Sequence, residues 1–409
     1  MKKIKQLVLI AFILFSNQLS FSQNAWKPVN TGTLTSLFSL NFPNSQIGWV
    51  VGQDGLIMKT NNGGNSWNTQ TSNVLNSLYG CYFPSTTTGW AVGWDGKILK
   101  TSDGGNTWFS QVSGTTNYLN SAYFFSSTSG IIVGENGTIL KTIDGGNNWT
   151  TITSNTTMLL YMIHFTSSTT GIIVGQGGRI LKTTDGGNTW IIKNSGITAD
   201  LFTMHFIDIN NGFAAGDMGK IIKTTDGGES WTNITTPNTT IIGTIWFVNT
   251  YKGWAAQMDG NLLYTSDGGN NWISDTTLGI QAMWACSFTS QDTGFMAGND
   301  GKMYKTTNGG TLAINDNMQF AVDNVQINIF PNPVNVEAEI DYYVPLKTLC
   351  LINLLELNGK QIQCVTNEVK DKGKHQIRFN TDKFEDGVYF IELKTESKTI
   401  VKKIIISHN

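Results

Sequence analysis

The chain has 409 residues, of which 44 are glycine, 13 are tryptophan and only 14% are charged, with a formal net charge of −2. Charge well below the usual ~25%, beside abundant aromatics, excludes a disordered chain; the glycine content is far too low for collagen, and charged helix formers are too few for a long coiled coil. The near-neutral balance argues against a nucleic-acid partner, which asks for a basic stripe. What remains is an all-β globular chain with many tight turns, long enough for two or three domains.

The N-terminus carries Lys2, Lys3 and Lys5, then an apolar run over residues 7–15, then Ser20, Phe21 and Ser22. This order predicts a secretory signal peptide over residues 1–22, cut after Ser22. The run is too short to span a bilayer, which takes ~20 apolar residues, and no later run is long enough, so no integral membrane segment is expected after cleavage. Loss of the three lysines takes the net charge from −2 to −5.

A strict repeat follows. Gly-Gly pairs begin at 63, 104, 145, 186, 227, 268 and 309, a constant step of 41, and Phe42, Phe83, Phe124, Phe165, Phe206, Phe247 and Phe288 keep the same step. Each unit reads as four short strands: an apolar segment ending at the Phe, a hairpin such as GWAVGWDGKILKT, and a TSDGGNTW turn leading into the last strand. Short strands at a period of about 40–45 residues indicate propeller blades. Trp67, Trp108, Trp149, Trp190, Trp231 and Trp272 follow six of the Gly-Gly pairs, the seventh pair has no Trp after it, and Trp26 lies one period before Trp67. The chain therefore starts with a fourth strand that can complete the last blade, whereas a solenoid would end in polar caps. We expect an all-β fold: a seven-bladed β-propeller over residues 23–311, closed near Trp26, then a linker over 312–325 and a C-terminal Ig-like β-sandwich over 326–409.

The turn residues Asp103, Asp144, Asp185, Asp226 and Asp267 can bond their own downstream backbone, the glycines accept positive φ, and each Trp buries a large ring. A phosphate-binding loop would need a following helix and a lysine, and neither is there. Cys81 and Cys286 share a column with Leu40, Ala122, Ile163, Met204 and Ile245, so they read as small buried hydrophobes. Cys350 and Cys364 flank a hairpin predicted at Asn358-Gly359, whose register pairs Cys364 with Asn353 and sets the two thiols on opposite faces.

After Gly310 the repeat stops and the composition changes, with no Trp and more Lys and Glu. NIFPNP (328–333), LNGKQI (357–362), GKHQIRF (373–379), DGVYFIELK (386–394) and VKKIII (401–406) read as strands separated by Gly turns, a small sandwich.

TSDGGNTW at 101–108 and TTDGGNTW at 183–190 resemble the Asp-box, or BNR, repeat, and the longer GWAVGWDGKILKTSDGGNTW most resembles the photosystem II assembly and stability factor family of seven-bladed propellers. The resemblance covers residues 26–310 and implies the fold; sialidases, xyloglucanases and sortilin-like receptors share the repeat. The sialidase arginine triad has no counterpart, since the only arginines are Arg179 and Arg378, and the arginine-rich client patch of the photosynthetic factors is also missing. Residues 326–409 resemble the type A C-terminal sorting domain of type IX secretion substrates in Bacteroidetes, on Pro331, Asn332, Pro333, Gly359, Gly387, Val388, Tyr389, Lys402 and Lys403. That implies the type IX machinery as a partner, passage through the periplasm, and a secreted or outer-membrane-surface protein.

Ligand residues are sought among the positions that vary between blades. The hairpin tips hold Asp54, Trp94, Asp95, Glu135, Asp217, Asp259 and Asp300. A Trp beside carboxylates suits stacking on a sugar and hydrogen bonding to its hydroxyls, with Trp94 as anchor, although Asp-Gly also simply favours a turn. His164 and His205 share a first-strand column and read as packed residues, because two His make an incomplete metal site. No catalytic residue, cofactor or metal is expected. A glycan- or protein-binding scaffold is the leading reading; a polysaccharide hydrolase and an assembly factor for an envelope complex are the alternatives. Uniform 41-residue steps leave no room for the long loops of a cleft with two catalytic carboxylates.

Overall fold

The computed structural model describes residues 25–275, 282–310, 325–344, 347–357, 359–395 and 399–408. The expected signal peptide and nearly all of the expected linker lie outside them. The chain divides into two compact units, 1–312 and 313–409.

The first unit is a ring of seven four-stranded antiparallel sheets. Blade 1 runs Leu37–Asn41, Gly48–Gly52, Ile57–Thr60 and Asn68–Gln70, named here strands A to D from the axis outward. The same order repeats through blade 6, which ends at Ile273–Asp275. Blade 7 has strands A to C at Met283–Phe288, Gly294–Gly298 and Met303–Thr306; its strand D is Lys27–Val29, paired antiparallel to Met303–Thr306. The first and last strands of the unit thus close the ring, which leaves no open end sheet.

Strand B is buried at every residue in each blade, because it is sandwiched between neighbouring sheets as well as between strands A and C. The repeated Phe ends strand A or, in blades 1 and 2, directly follows it, and its ring lies over the first Gly of strand B: a Cβ on Gly89 would overlap the ring of Phe83. The other face of the same ring stacks on the preceding blade, as in Trp49–Phe83 (centroids 3.8 Å, interplanar 7°). The turn Trp then meets the Phe edge-on at 5.8–6.2 Å in blades 1 to 6. Trp26 makes the same contact with Phe288, at 5.7 Å and 85°.

At six of the seven junctions a lysine ties one sheet to the next. Lys59 Nζ on strand C of blade 1 donates to the carbonyl of Gly104 in the next blade's turn at 2.8 Å. Lys100, Lys141, Lys223 and Lys305 repeat the bond to Gly145, Gly186, Gly268 and Gly63 at 2.8–2.9 Å. Lys182 instead pairs with Glu229 at 2.6 Å. Between blades 6 and 7 the column holds Tyr264, and Trp254 Nε1 donates to Gly309 O at 3.0 Å in the lysine's place.

The second unit packs a three-stranded sheet (Gln326–Phe330, Glu337–Val344, Gly373–Asn380) with a four-stranded sheet (Gln361–Lys370, Thr348–Leu355, Gly387–Lys394, Thr399–Ile406). The two share one core that includes Ile340, Tyr342, Ile352, Leu354, Phe379, Ile391 and Ile404, an Ig-like sandwich. Asn353 pairs with Cys364 across the hairpin, Cys350 is buried and Cys364 is exposed; Asn358 itself lies outside the described residues. Among the motif residues, Asn332 accepts from Ile405 N–H and donates to Lys403 O, both at 2.9 Å, clamping the last strand from outside. Tyr389 Oη donates to Glu385 O, Gly359 takes φ +82°, and Lys402 and Lys403 are exposed.

Trp26 is buried against Phe288 and Trp254, so Trp26→Ala should cost ~3–5 kcal/mol. Urea unfolding followed by tryptophan fluorescence reads the propeller alone, since residues 325–409 contain no Trp. A loss below ~1 kcal/mol would mean that the closing strand is not tied to the ring.

Candidate functional site

The two ends of the ring differ in kind. At one end the Asp-box turns lie against the A–B loops, as shown by Gly104 N–H donating to Thr87 O at 2.8 Å. Asp103 Oδ1 accepts from Thr101 Oγ1 and Thr107 N–H (both 2.9 Å), and Oδ2 accepts from Thr107 Oγ1 (2.6 Å). Thr101 Oγ1 in turn accepts from Gly105 N–H at 2.7 Å. Asp144, Asp185, Asp226 and Asp267 repeat this closed set within their own turns. Hydrogen bonds from Thr107, Asn148 and Ser230 hold Asp103, Asp144 and Asp226 down at about 2. Each carboxylate is thus engaged inside its own turn, and of the turn tryptophans Trp67, Trp108, Trp190 and Trp272 are buried and Trp149 and Trp231 nearly so.

At the other end the B–C tips meet the D–A loops. Gln53, Trp94, Glu135, Gln176 and Asp217 donate backbone N–H to Ser36, Ser77, Tyr118, Leu159 and Asp200 at 2.8–2.9 Å. The acidic tip residues, one set in the sequence, form two. Asp54, Asp95 and Asp300 are exposed and take left-handed φ of 55°, 57° and 53°, a conformation that Asp and Asn tolerate better than most. Glu135 and Asp217 stand one position earlier, toward strand A; Glu135 Oε2 accepts from Tyr118 N–H at 3.2 Å and Asp217 Oδ1 from Met218 N–H at 2.8 Å. Asp259 sits in a turn of different build, closed by Gly260 N–H to Gln257 O where the other tips have a Gly, and it accepts from Asn261 N–H and Thr240 Oγ1.

Trp94 is 48% exposed and rests on Tyr118, ring centroids 4.9 Å apart. Tyr118 leads on to Tyr79 (6.5 Å) and Tyr79 to Phe38 (5.6 Å). Phe38 and Tyr79 are bulge residues: Leu37 pairs with Gly52 and Ser39 with Val51, leaving Phe38 extra. Every strand A has this irregularity, and the bulged column reads Phe38, Tyr79, Asn120, Tyr161, Phe202, Gly243 and Trp284. A bulge re-aims one side chain. The sequence does not announce this column, because its identities vary and the period-two pattern of strand A hides an extra residue.

His164 stacks on Phe206 (5.9 Å, 6°), and His205 Nδ1 accepts from Phe247 N–H at 3.3 Å. Burial pushes the two imidazoles down to about 4 and about 3, so both are neutral. Beside them an open cleft of about 460 Å³ is lined by His205, Trp246, Phe288 and Asn249.

The profile of the photosynthesis system II assembly factor YCF48 family matches residues 19–79, 71–158 and 149–243, more than half of the chain. The chain belongs to that family. The secretion system C-terminal sorting domain matches residues 328–407, and a protein with such a domain is exported. No curated protein sequence matches the chain. Among solved structures, YCF48 bound to D1 peptide is 22% identical, with TM-score 0.62 over 70% of this chain and 98% of that one. YCF48 from Cyanidioschyzon merolae is 20% identical, with TM-score 0.60 over 69% and 98%. A Niastella koreensis GH74 enzyme is 15% identical, with TM-score 0.55 over 78% of this chain and 59% of that one. At these identities the likeness to solved structures establishes the propeller fold of this YCF48-family chain. Among the described residues no helix is long and apolar enough to cross a membrane.

The buried imidazoles set a pH dependence. Their folded pKa lies below the unfolded value of about 6.5, so the unfolded chain binds more protons between about pH 6.5 and 4. Stability is then full above that window and falls with pH inside it, by at most ~1.4 kcal/mol per pH unit for each imidazole. His205→Asn keeps an acceptor of the kind Asn41 offers to Phe83 N–H and should roughly halve the slope of melting temperature against pH in this window. An unchanged slope would show that the imidazoles are not its cause.

Proposed function

We propose that the mature chain is a secreted or cell-surface, non-catalytic propeller that binds a glycan or protein on the face carrying the B–C tips, with Trp94 as the anchor. The observation that carries this reading is the contrast between the two ends. The Asp-box end spends its polar groups on its own turns, whereas the tip end keeps a half-exposed Trp among residues that differ from blade to blade. Exposed aromatic surface with a polar rim is what recognition sites present. Membership of the assembly-factor family, and a YCF48 structure holding a peptide, support binding over catalysis. The missing arginine patch argues against carrying the photosystem client itself over to this chain.

The sorting domain supports passage through the type IX machinery, by way of the periplasm, to the outer-membrane surface or the medium. Residues 1–22 would be removed by cleavage after Ser22.

The test is a glycan array and a pull-down with residues 23–409, repeated with Trp94→Ala. A half-exposed surface Trp can be truncated without unfolding the ring, so the variant should melt within a few degrees of the parent and lose at least ~tenfold in affinity for any ligand captured. Full retention of binding would remove Trp94 from the site. A chain lacking residues 326–409 should accumulate in the periplasm; its appearance at the surface would contradict the export route.

A further inference from the structure

The bulged column surrounds the axis at the tip end and forms a collar that the tip residues alone do not suggest. Five of its seven positions are aromatic: Phe38, Tyr79, Tyr161, Phe202 and Trp284. None of these is fully buried, and Trp284 is 37% exposed. Asn120 fills the third position, and at Gly243 the Met258 methyl occupies the space a Cβ would take. The fold does not demand aromatics here, because Asn and Gly serve equally well in blades 3 and 6.

The charge around the collar has one sign. Three sets of seven positions face the mouth: the bulged column, the loop residues two positions before it (Ser36 to Ala282), and the first tip residues (Gln53 to Asn299). Together they contain Glu135, Asp200 and Asp217 and no Lys or Arg. The nearest cations of this face, Lys97, Arg179, Lys220 and Lys302, follow the turn glycines on the outer side of the tips. Below the collar the strand A column carries His164 and His205, both neutral imidazoles.

Asp200 bonds one aromatic pair directly, and Asp217 is tied to Asp200 through its backbone. Tyr161 and Phe202 meet edge to face at 4.9 Å. Tyr161 Oη donates to Asp200 Oδ2 at 3.1 Å, Asp200 Oδ1 accepts from Gly177 N–H at 2.8 Å, and Asp217 N–H donates to Asp200 O. Burial, then the Asp200 carboxylate, then that of Asp217 hold the Tyr161 phenol well above its usual range. Aromatic faces beside carboxylates are the chemistry of organic-cation recognition.

We infer that the collar takes an extended peptide segment of a partner protein, seating a lysine or arginine against Tyr161, Phe202, Asp200 and Asp217 and an apolar side chain on Phe38 and Tyr79. This deepens, and rests on, the reading that the tip face binds a ligand. It commits to a basic peptide over a neutral glycan because stacking alone would not require three acids without a compensating base.

The test is calorimetric titration of residues 23–409 with three probes: a short capped peptide of alternating lysine and tryptophan, the same peptide with glutamate for lysine, and cellohexaose. The lysine peptide should bind at least ~tenfold more tightly than either other probe and weaken as salt rises. Phe202→Ala, and the pair Asp200→Asn with Asp217→Asn, should each weaken it ~tenfold with melting temperature kept; the amide introduced by Asp200→Asn retains an acceptor oxygen for Gly177 N–H. Equal binding of the glutamate peptide, or indifference to both collar variants, would overturn the inference. Cellohexaose binding that Trp94→Ala abolishes, with the lysine peptide silent, would also overturn it while leaving the tip-face reading intact. A ligand captured by the parent and untouched by Trp94→Ala would count against the tip-face anchor alone.

Discussion

One contact recurs around the ring and sets most of its other features: a strand C lysine donating to a glycine carbonyl in the next blade's Asp-box. It requires that the turn present that carbonyl sideways, which two consecutive residues at positive φ accomplish; Gly104 and Gly105 have φ of 72° and 85°. It requires a fixed turn, which the Asp103 carboxylate supplies. In blades 1 and 2 the stem runs along a strand B aromatic, Lys59 and Lys100 crossing Trp49 and Trp90 at 5.0 and 5.1 Å from the ring centroids, whereas Lys141 makes the same bond beside Ile131. Burial lowers the affinity of these ammonium groups for their protons, so the bond is made partly out of water, where a charge-assisted hydrogen bond is worth ~1.5–3 kcal/mol. Where the lysine is missing, at Tyr264, the Trp254 indole gives the carbonyl a donor. The donor to the carbonyl can therefore change, and in one blade pair Lys182 turns to Glu229 instead.

Much of the fold was legible because the repeat compares itself. Columns of Gly, Phe and Trp at a step of 41 identified the blades, and the single missing Trp, set against Trp26, identified the closure. The lysine column was equally regular, yet it carried no meaning until the carbonyl opposite it was seen, since an exposed-looking Lys on a strand reads as solvent-facing. The Asn353–Cys364 pairing expected from a two-residue turn is met, but the hairpin closes at Glu356 and Lys360 and reaches that pairing through a register shift between Leu354 and Leu355 that the sequence did not announce.

The candidate site was less legible. Uniform columns announce architecture, but the positions that could recognise a ligand vary and have no internal reference. The acids at the tips looked alike in sequence, whereas Asp54, Asp95 and Asp300 occupy left-handed turn positions and Glu135 and Asp217 lie toward the axis. The collar was invisible because it depends on one extra residue in each strand A, a register shift that only strand pairing shows. Glycine and tryptophan content is thus mostly structural, and Trp94, Trp284 and the other bulged aromatics are what stands outside that frame at the tip end. The ring is a rigid frame, and a change at one collar position alters what the mouth presents without touching the Asp-box end.

The central claim is that equivalent inter-blade contacts, including the strand Lys27–Val29, make the ring one cooperative unit. Native-state hydrogen exchange of the full chain in rising denaturant tests it most directly. Strand B amides of all blades, Gly130–Gly134 and Gly294–Gly298 alike, should converge on a single isotherm with the global free energy and denaturant slope. A separate opening of Gly294–Gly298 at lower free energy and smaller slope would contradict it.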